Sequence, residues 1–169
     1  MSAPDSRHRY PAEILGPGAR APSFELPVTP DSQSELCEFR GRNLVMAFYP
    51  ADWSPVCGDQ LALYNEALPE LERLGAALVG VSVDGVWCHA AYAAARNLHF
   101  PLLADFEPKG EVSKRYGAYD YGLGMSKRAL FVVDGEGTIR WSYLSPMEVN
   151  PGVDGILTAL DSMAAGVPA

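Results

Sequence analysis

Cysteine, basic residues and long apolar runs are all scarce in this chain of 169 residues. There are three cysteines, an odd number that supplies no disulfide framework. A cysteine with a task here is therefore expected to be a reactive one. Lys and Arg number 13 against 21 Asp and Glu, for a net charge of −8. That balance gives no basic stripe for nucleic acid and opposes docking on anionic lipid, so no nucleic-acid or membrane partner is expected. No apolar stretch approaches the roughly 20 residues that span a bilayer. Met1 to Arg20 holds Arg7, Arg9, Pro4, Pro11, Pro17 and Gly18 but no apolar segment of the kind a secretory signal needs. Residues 1–20 read as a flexible leader, and 21–165 as one domain. The expected compartment is the cytoplasm, which keeps thiols reduced.

What the chain does have is apolar residues, 48% of the total, enough for a real core. Phe24–Leu26 reads as a short strand and Leu36–Phe39 as another. Leu44–Tyr49 and Ala77–Val83 are continuous apolar runs of strand length, as in strands buried on both faces of a parallel sheet. Between them Pro55–Leu74 reads as a helix kinked at Pro69. A second helix follows Asp84 as N-cap. Its apolar stripe would be Trp87, Ala90, Ala91, Ala94 and Leu98. Leu102–Leu103 reads as a strand and Pro108–Tyr116 as a helix. Leu130–Val133 and Thr138–Tyr143 form a hairpin around Asp134-Gly135-Glu136-Gly137. Val153–Met163 reads as the last helix. This order predicts an α/β layer fold with a mixed sheet.

The link from the first buried strand to its helix carries the chemistry. It reads Pro50-Ala51-Asp52-Trp53-Ser54-Pro55-Val56-Cys57. Ser54 suits the N-cap and Pro55 the first helical position, where no N–H is needed. Cys57 then falls in the first turn, at the third helical position. Unpaired amides and the positive end of the helix dipole favour its thiolate, the nucleophilic form. A free cysteine is otherwise most often a small buried hydrophobe. Ser54 taken alone reads equally as a cap, Pro50 as a strand end and Arg128 as a surface charge at a strand start.

The segment from Phe48 to Cys57 resembles the active-site signature of the peroxiredoxins, Pro-x-x-x-Thr/Ser-x-x-Cys. Glu38–Gly41, Val81–Asp84, Phe100–Asp105 and Arg128–Asp134 are similar to further blocks of that family in the same order. The stretch Phe100–Tyr119 looks most like the one-cysteine members related to alkyl hydroperoxide reductase E. The resemblance implies a thioredoxin fold with a peroxiredoxin-type N-terminal extension. It implies a thiol-dependent peroxidase with no cofactor. Cys57 would attack the peroxide, Ser54 would hold thiolate and peroxide in line, and Arg128 would stabilise the charge. Pro50 would shield the sulfur. The implied partners are a hydroperoxide, thioredoxin or a similar thiol reductant, and a second copy of the chain in a homodimer or larger oligomer. A non-enzymatic peroxide sensor that passes oxidation to a partner protein would use the same chemistry. Two positions depart from the family's habit: Ser54 stands where Thr is commoner, and Gln60 where many members have Glu.

Cys88 is the candidate resolving cysteine, near the start of the helix after Asp84. The one-cysteine members lack such a residue, whereas some peroxiredoxins resolve from this helix. The dipole at the helix start is expected to favour its thiolate. The alternative is a Cys88 that only packs, with an external thiol attacking Cys57. Cys37 reads as structural. Cys88 and His89 side by side match no metal-ligand spacing, so no metal is expected. Trp53 reads as an interface or gate residue, or as core.

Overall fold

The computed structural model describes residues 9–166. The chain begins with an antiparallel ribbon of β1 (Glu25–Thr29) and β2 (Ser32–Glu35), followed by a 3-10 turn, Leu36–Phe39. Then come β3 (Asn43–Phe48), α1 (Pro55–Glu66), α2 (Leu68–Arg73), β4 (Ala76–Ser82), α3 (Val86–Arg96) and β5 (Leu102–Ala104). After α4 (Glu111–Arg115) the two-residue strands β6 (Tyr119–Asp120) and β7 (Met125–Ser126) pair with each other. The chain continues through β8 (Ala129–Val133), β9 (Ile139–Leu144) and α5 (Asp154–Ala164).

The central sheet runs β5-β4-β3-β8-β9. β3 lies in the middle, parallel to β4 and antiparallel to β8. Its alternate residues enter two different apolar layers. Val45 and Ala47, with Tyr49 beyond the strand's end, pack with Leu61, Tyr64 and Ile156. Leu44, Met46 and Phe48 pack on the other face with Phe24, Val112 and Tyr116. A strand covered on both faces needs a continuous apolar run, which is what the sequence supplies. The expected mixed sheet flanked by helices is the architecture found.

The β8–β9 hairpin closes as its residues predict. Asp134 O accepts from Gly137 N at 3.0 Å, and Asp134 Oδ1 accepts from the amides of Glu136 and Thr138. Gly137 has φ +85°, a conformation that favours glycine.

Four expectations change. Leu36–Phe39 is a 3-10 turn rather than a strand; Glu38 folds back to accept from the Glu35 amide, ending the pairing. The helix expected over Pro55–Leu74 is two helices, because Pro69 lacks the N–H that would continue α1 and occupies the first turn of α2 instead. The cap of α3 is Gly85, since the Asp84 carboxylate is engaged by the Ser82 hydroxyl and the Asp52 amide. The buried face of α3 is His89 and Tyr92, whereas Trp87 is 75% exposed and Ala90, Ala91 and Ala94 face solvent. Polar bonds made by His89, described below, outweigh the apolar count of the opposite face.

Of the leader expected over residues 1–20, residues 1–8 lie outside the described residues. The described part is docked. Tyr10 donates to Glu111 at 2.7 Å, Leu15 N to Tyr116 O at 3.1 Å, and Gly18 N to Ile139 O at 2.8 Å. Gly117 makes this docking possible. Its φ is +71°, and a Cβ there would overlap the Glu13 carbonyl. Gly117→Ala is expected to cost at least ~2 kcal/mol, from left-handed strain plus displaced packing, and to raise proteolysis ahead of residue 21. Urea unfolding with limited proteolysis measures both.

Candidate active site

The buried ladder of β3 continues one residue past the strand, with Tyr49 N donating to Val81 O at 3.0 Å. Pro50 follows, buried, and cannot donate. The loop then turns through Trp53, which has φ +67°. Ser54 caps α1 with its backbone, and Gly58 N donates to Ser54 O at 2.9 Å. Its hydroxyl makes no capping bond, so the half-buried Oγ remains available at the mouth of the turn. Cys57 sits in that turn with its side chain fully buried.

Arg128 reaches the same point from the opposite direction. Because β8 is antiparallel to β3, its first residue, Ala129, pairs with Phe48, the last of β3. Arg128, one residue earlier, therefore stands beside the start of α1. It is 1% exposed. Nη1 donates to Cys57 Sγ at 3.3 Å and to Gln60 Oε1 at 2.7 Å. Nε and Nη2 donate to Met147 O at 3.1 and 2.7 Å. Gln60 lies one turn after Cys57 and passes the chain on, donating to Tyr64 Oη at 3.0 Å, which donates to Gly152 O at 3.1 Å. Burial pushes the Tyr64 phenol up to about 12, which keeps that hydroxyl a donor. Among the described residues no carboxylate comes within ion-pair distance of Arg128. Gln60 can accept from the guanidinium but cannot neutralise it.

A second polar cluster braces the loop. The Asp52 side chain is fully buried, with Oδ1 accepting from Tyr49 Oη at 2.6 Å and Oδ2 2.7 Å from His89 Nδ1. His89 Nε2 lies 3.2 Å from Leu103 O, and a carbonyl only accepts, so Nε2 carries a hydrogen. Asp52 N donates to Asp84 Oδ2 at 2.9 Å, and Ser82 Oγ donates to the same atom at 2.6 Å. Burial first, and then Asp52, raise the Tyr49 pKa well above its ordinary value. Cys88 borders this cluster. Its Sγ and carboxylate oxygens of Asp52 and Asp84 all lie within 4.8 Å of one another. Burial, then Asp52, then Asp84 push its thiol up to about 11. Burial first, and then the two carboxylates, oppose the thiolate that the start of α3 would favour. These three residues could present donors to a metal, but both Asp52 oxygens and Asp84 Oδ2 are already engaged within the chain.

Cys57 and Arg128 thus meet, Ser54 caps the helix that carries Cys57, Pro50 opens the loop before it, and Cys88 lies on α3. Trp53 is 51% exposed and meets Tyr92 edge to face at 5.1 Å between ring centres. Cys37 is remote and exposed, donating to Glu35 Oε2 at 3.2 Å, so it holds no core together. Sequence reasoning missed Met147, whose contribution is a backbone carbonyl and leaves no residue signature. It also missed Asp52 and Tyr49, although a carboxylate between a buried strand and a helix cap was a visible signal.

Fold and site together define an α/β protein whose buried cysteine lies in the first turn of a helix against a buried arginine. The comparisons carry this to a family. The profile of the AhpC/TSA family matches residues 17–142. Alkyl hydroperoxide reductase E of Mycobacterium tuberculosis is 35% identical over 141 residues, 80% of this chain and 90% of that protein. A putative peroxiredoxin of Entamoeba histolytica is 33% identical over 135 residues, covering 73% of this chain but only 57% of the relative. The solved structure of Mycobacterium tuberculosis AhpC superposes with a TM-score of 0.81 at 26% identity, over 90% of this chain and 95% of that one. The chain belongs to the AhpC/TSA family, the peroxiredoxins. Its activity is thiol-dependent peroxide reduction on a thioredoxin fold.

Tyr49→Phe removes the donor to Asp52 without changing shape. It is expected to cost about 1.5–3 kcal/mol, the range for a hydrogen bond to a charged group, measured by urea unfolding of the reduced protein.

Proposed function

We propose that Cys57 is the peroxidatic nucleophile, on the strength of one observation above all: its sulfur meets Arg128 Nη1 at 3.3 Å in the first turn of a helix. The thiolate attacks one peroxide oxygen. A sulfur–oxygen bond forms, the O–O bond breaks, and the second oxygen leaves with a proton as water or alcohol. Cys57 is left as a sulfenic acid. Arg128 stabilises the negative charge as it moves from sulfur to oxygen, with its fork of donors already held by Gln60 and Met147. The free Ser54 hydroxyl orients thiolate and peroxide, and buried Pro50 keeps water from the sulfur.

Cys88 is the proposed resolving thiol, attacking the sulfenic acid to give a Cys57–Cys88 disulfide. Its support is position: its sulfur adjoins Asp52, in the loop that leads to Cys57. A bridge needs Cα atoms within about 7 Å, so the first turn of α1 opens for the step. Thioredoxin or a similar dithiol then reduces the bridge. The proposed compartment is the reducing cytoplasm. A homodimer covering the exposed Trp53 and Trp87 is part of the same reading.

Peroxide turnover with a panel of thiol reductants tests the assignment. Cys57→Ser is expected to abolish it. Arg128→Met is expected to slow sulfenic acid formation about 10²-fold while costing about 1–3 kcal/mol of stability. Oxidation of that variant at the wild-type rate would reduce Arg128 to a loop support. Cys88→Ser is expected to lose the disulfide seen by mass spectrometry after one equivalent of peroxide, and to over-oxidise faster.

A further inference from the structure

A resolving thiol must lose its proton, because the thiolate is the attacking form. Cys88 is poorly placed to do so unaided, as burial and two neighbouring carboxylates push it up to about 11. The same neighbours supply a remedy. Asp52 belongs to the active-site loop, is buried, and lies beside the Cys88 sulfur. Its orientation is fixed twice, by Tyr49 at 2.6 Å and by His89 at 2.7 Å, and His89 is itself anchored on Leu103 O.

We propose that the Asp52 carboxylate accepts the proton of the Cys88 thiol as that thiol attacks the Cys57 sulfenic acid. This rests on Cys88 being the resolving cysteine. The Cys88 S–H proton passes to Asp52, and the sulfur's electron pair forms the S–S bond. The Cys57 S–O bond breaks, its electron pair leaves with oxygen, and that oxygen takes up a proton to become water. Two thiol-level sulfurs are oxidised by the peroxide already consumed, so no further oxidant is needed.

Asp84 is the rival acceptor. Its Oδ2 accepts from the Ser82 hydroxyl and the Asp52 amide, just as both Asp52 oxygens are engaged; Asp52 is preferred because it lies in the loop that leads to Cys57, whereas Asp84 follows β4. The charged or titratable groups that face Asp52 are therefore Tyr49 from the end of β3, Asp84 from the end of β4, and Cys88, His89 and Tyr92 from α3.

The experiment times the two steps separately in the full chain. One equivalent of hydrogen peroxide is added. Sulfenic acid is trapped with a dione reagent, and disulfide formation is followed by quenched mass spectrometry from pH 6 to 8. In the wild type the disulfide step is expected to be nearly independent of pH. In Asp52→Asn it should be at least tenfold slower at pH 7 and should rise about tenfold per pH unit, as thiolate supplied by solvent base would. Asp84→Asn should keep the flat profile. A wild-type rate and flat profile in Asp52→Asn would overturn the assignment while leaving Cys88 as the resolving thiol. A wild-type rate that climbs about tenfold per pH unit would overturn it too, without need of any variant. No Cys57–Cys88 disulfide in the wild type would instead remove the resolving reading on which it stands.

Discussion

The structure turns on one buried cation. Arg128 is almost wholly removed from water, yet its partners are two neutral oxygens, from Gln60 and Met147, and one sulfur. Burying an unpaired guanidinium is costly unless it is bonded on every side and given a counter-charge. The two oxygens satisfy the bonding. The Cys57 sulfur is the third partner, at 3.3 Å, and the rest of the architecture serves that contact. β3 brings Cys57 to the end of the sheet, antiparallel β8 returns Arg128 to the same end, and the loop after β9 supplies the Met147 carbonyl.

The second brace, centred on Asp52, answers a different need. A loop holding a residue in left-handed geometry, followed by a helix with no side-chain cap, would fray on its own. Asp52 ties it to the end of β3 through Tyr49, to α3 through His89 and to the end of β4 through Asp84. These bonds lie in the interior, where each is stronger and each unsatisfied group dearer. The root of the loop is thus held by bonds that do not involve the first turn of α1.

The reading of Cys57, Ser54 and Pro55 came from helix-cap grammar, which is local and therefore visible in a sequence. Arg128 was legible only through its place in a family pattern, because its partner is 71 positions away. The central strands were legible because burial on both faces leaves unbroken apolar runs. The face of α3 was not. Its alanines and Trp87 imitate a buried stripe, while the true inner face carries His89 and Tyr92, a choice decided by polar partners on Leu103 and Asp52. The strands β6 and β7, two residues each, carry too little periodicity to be seen.

Complete burial of Cys57 makes entry to the sulfur a question of dimensions and waiting times. Hydrogen peroxide has two heavy atoms and needs only a brief parting of the side chains that cover the thiol. A long-chain hydroperoxide presents the same O–O bond but drags a tail past Ser54 and the loop, so it must wait for a wider and rarer opening. On the mechanism proposed above, burial of the sulfur would favour small oxidants over bulky ones and would shelter the thiol from bulky electrophiles.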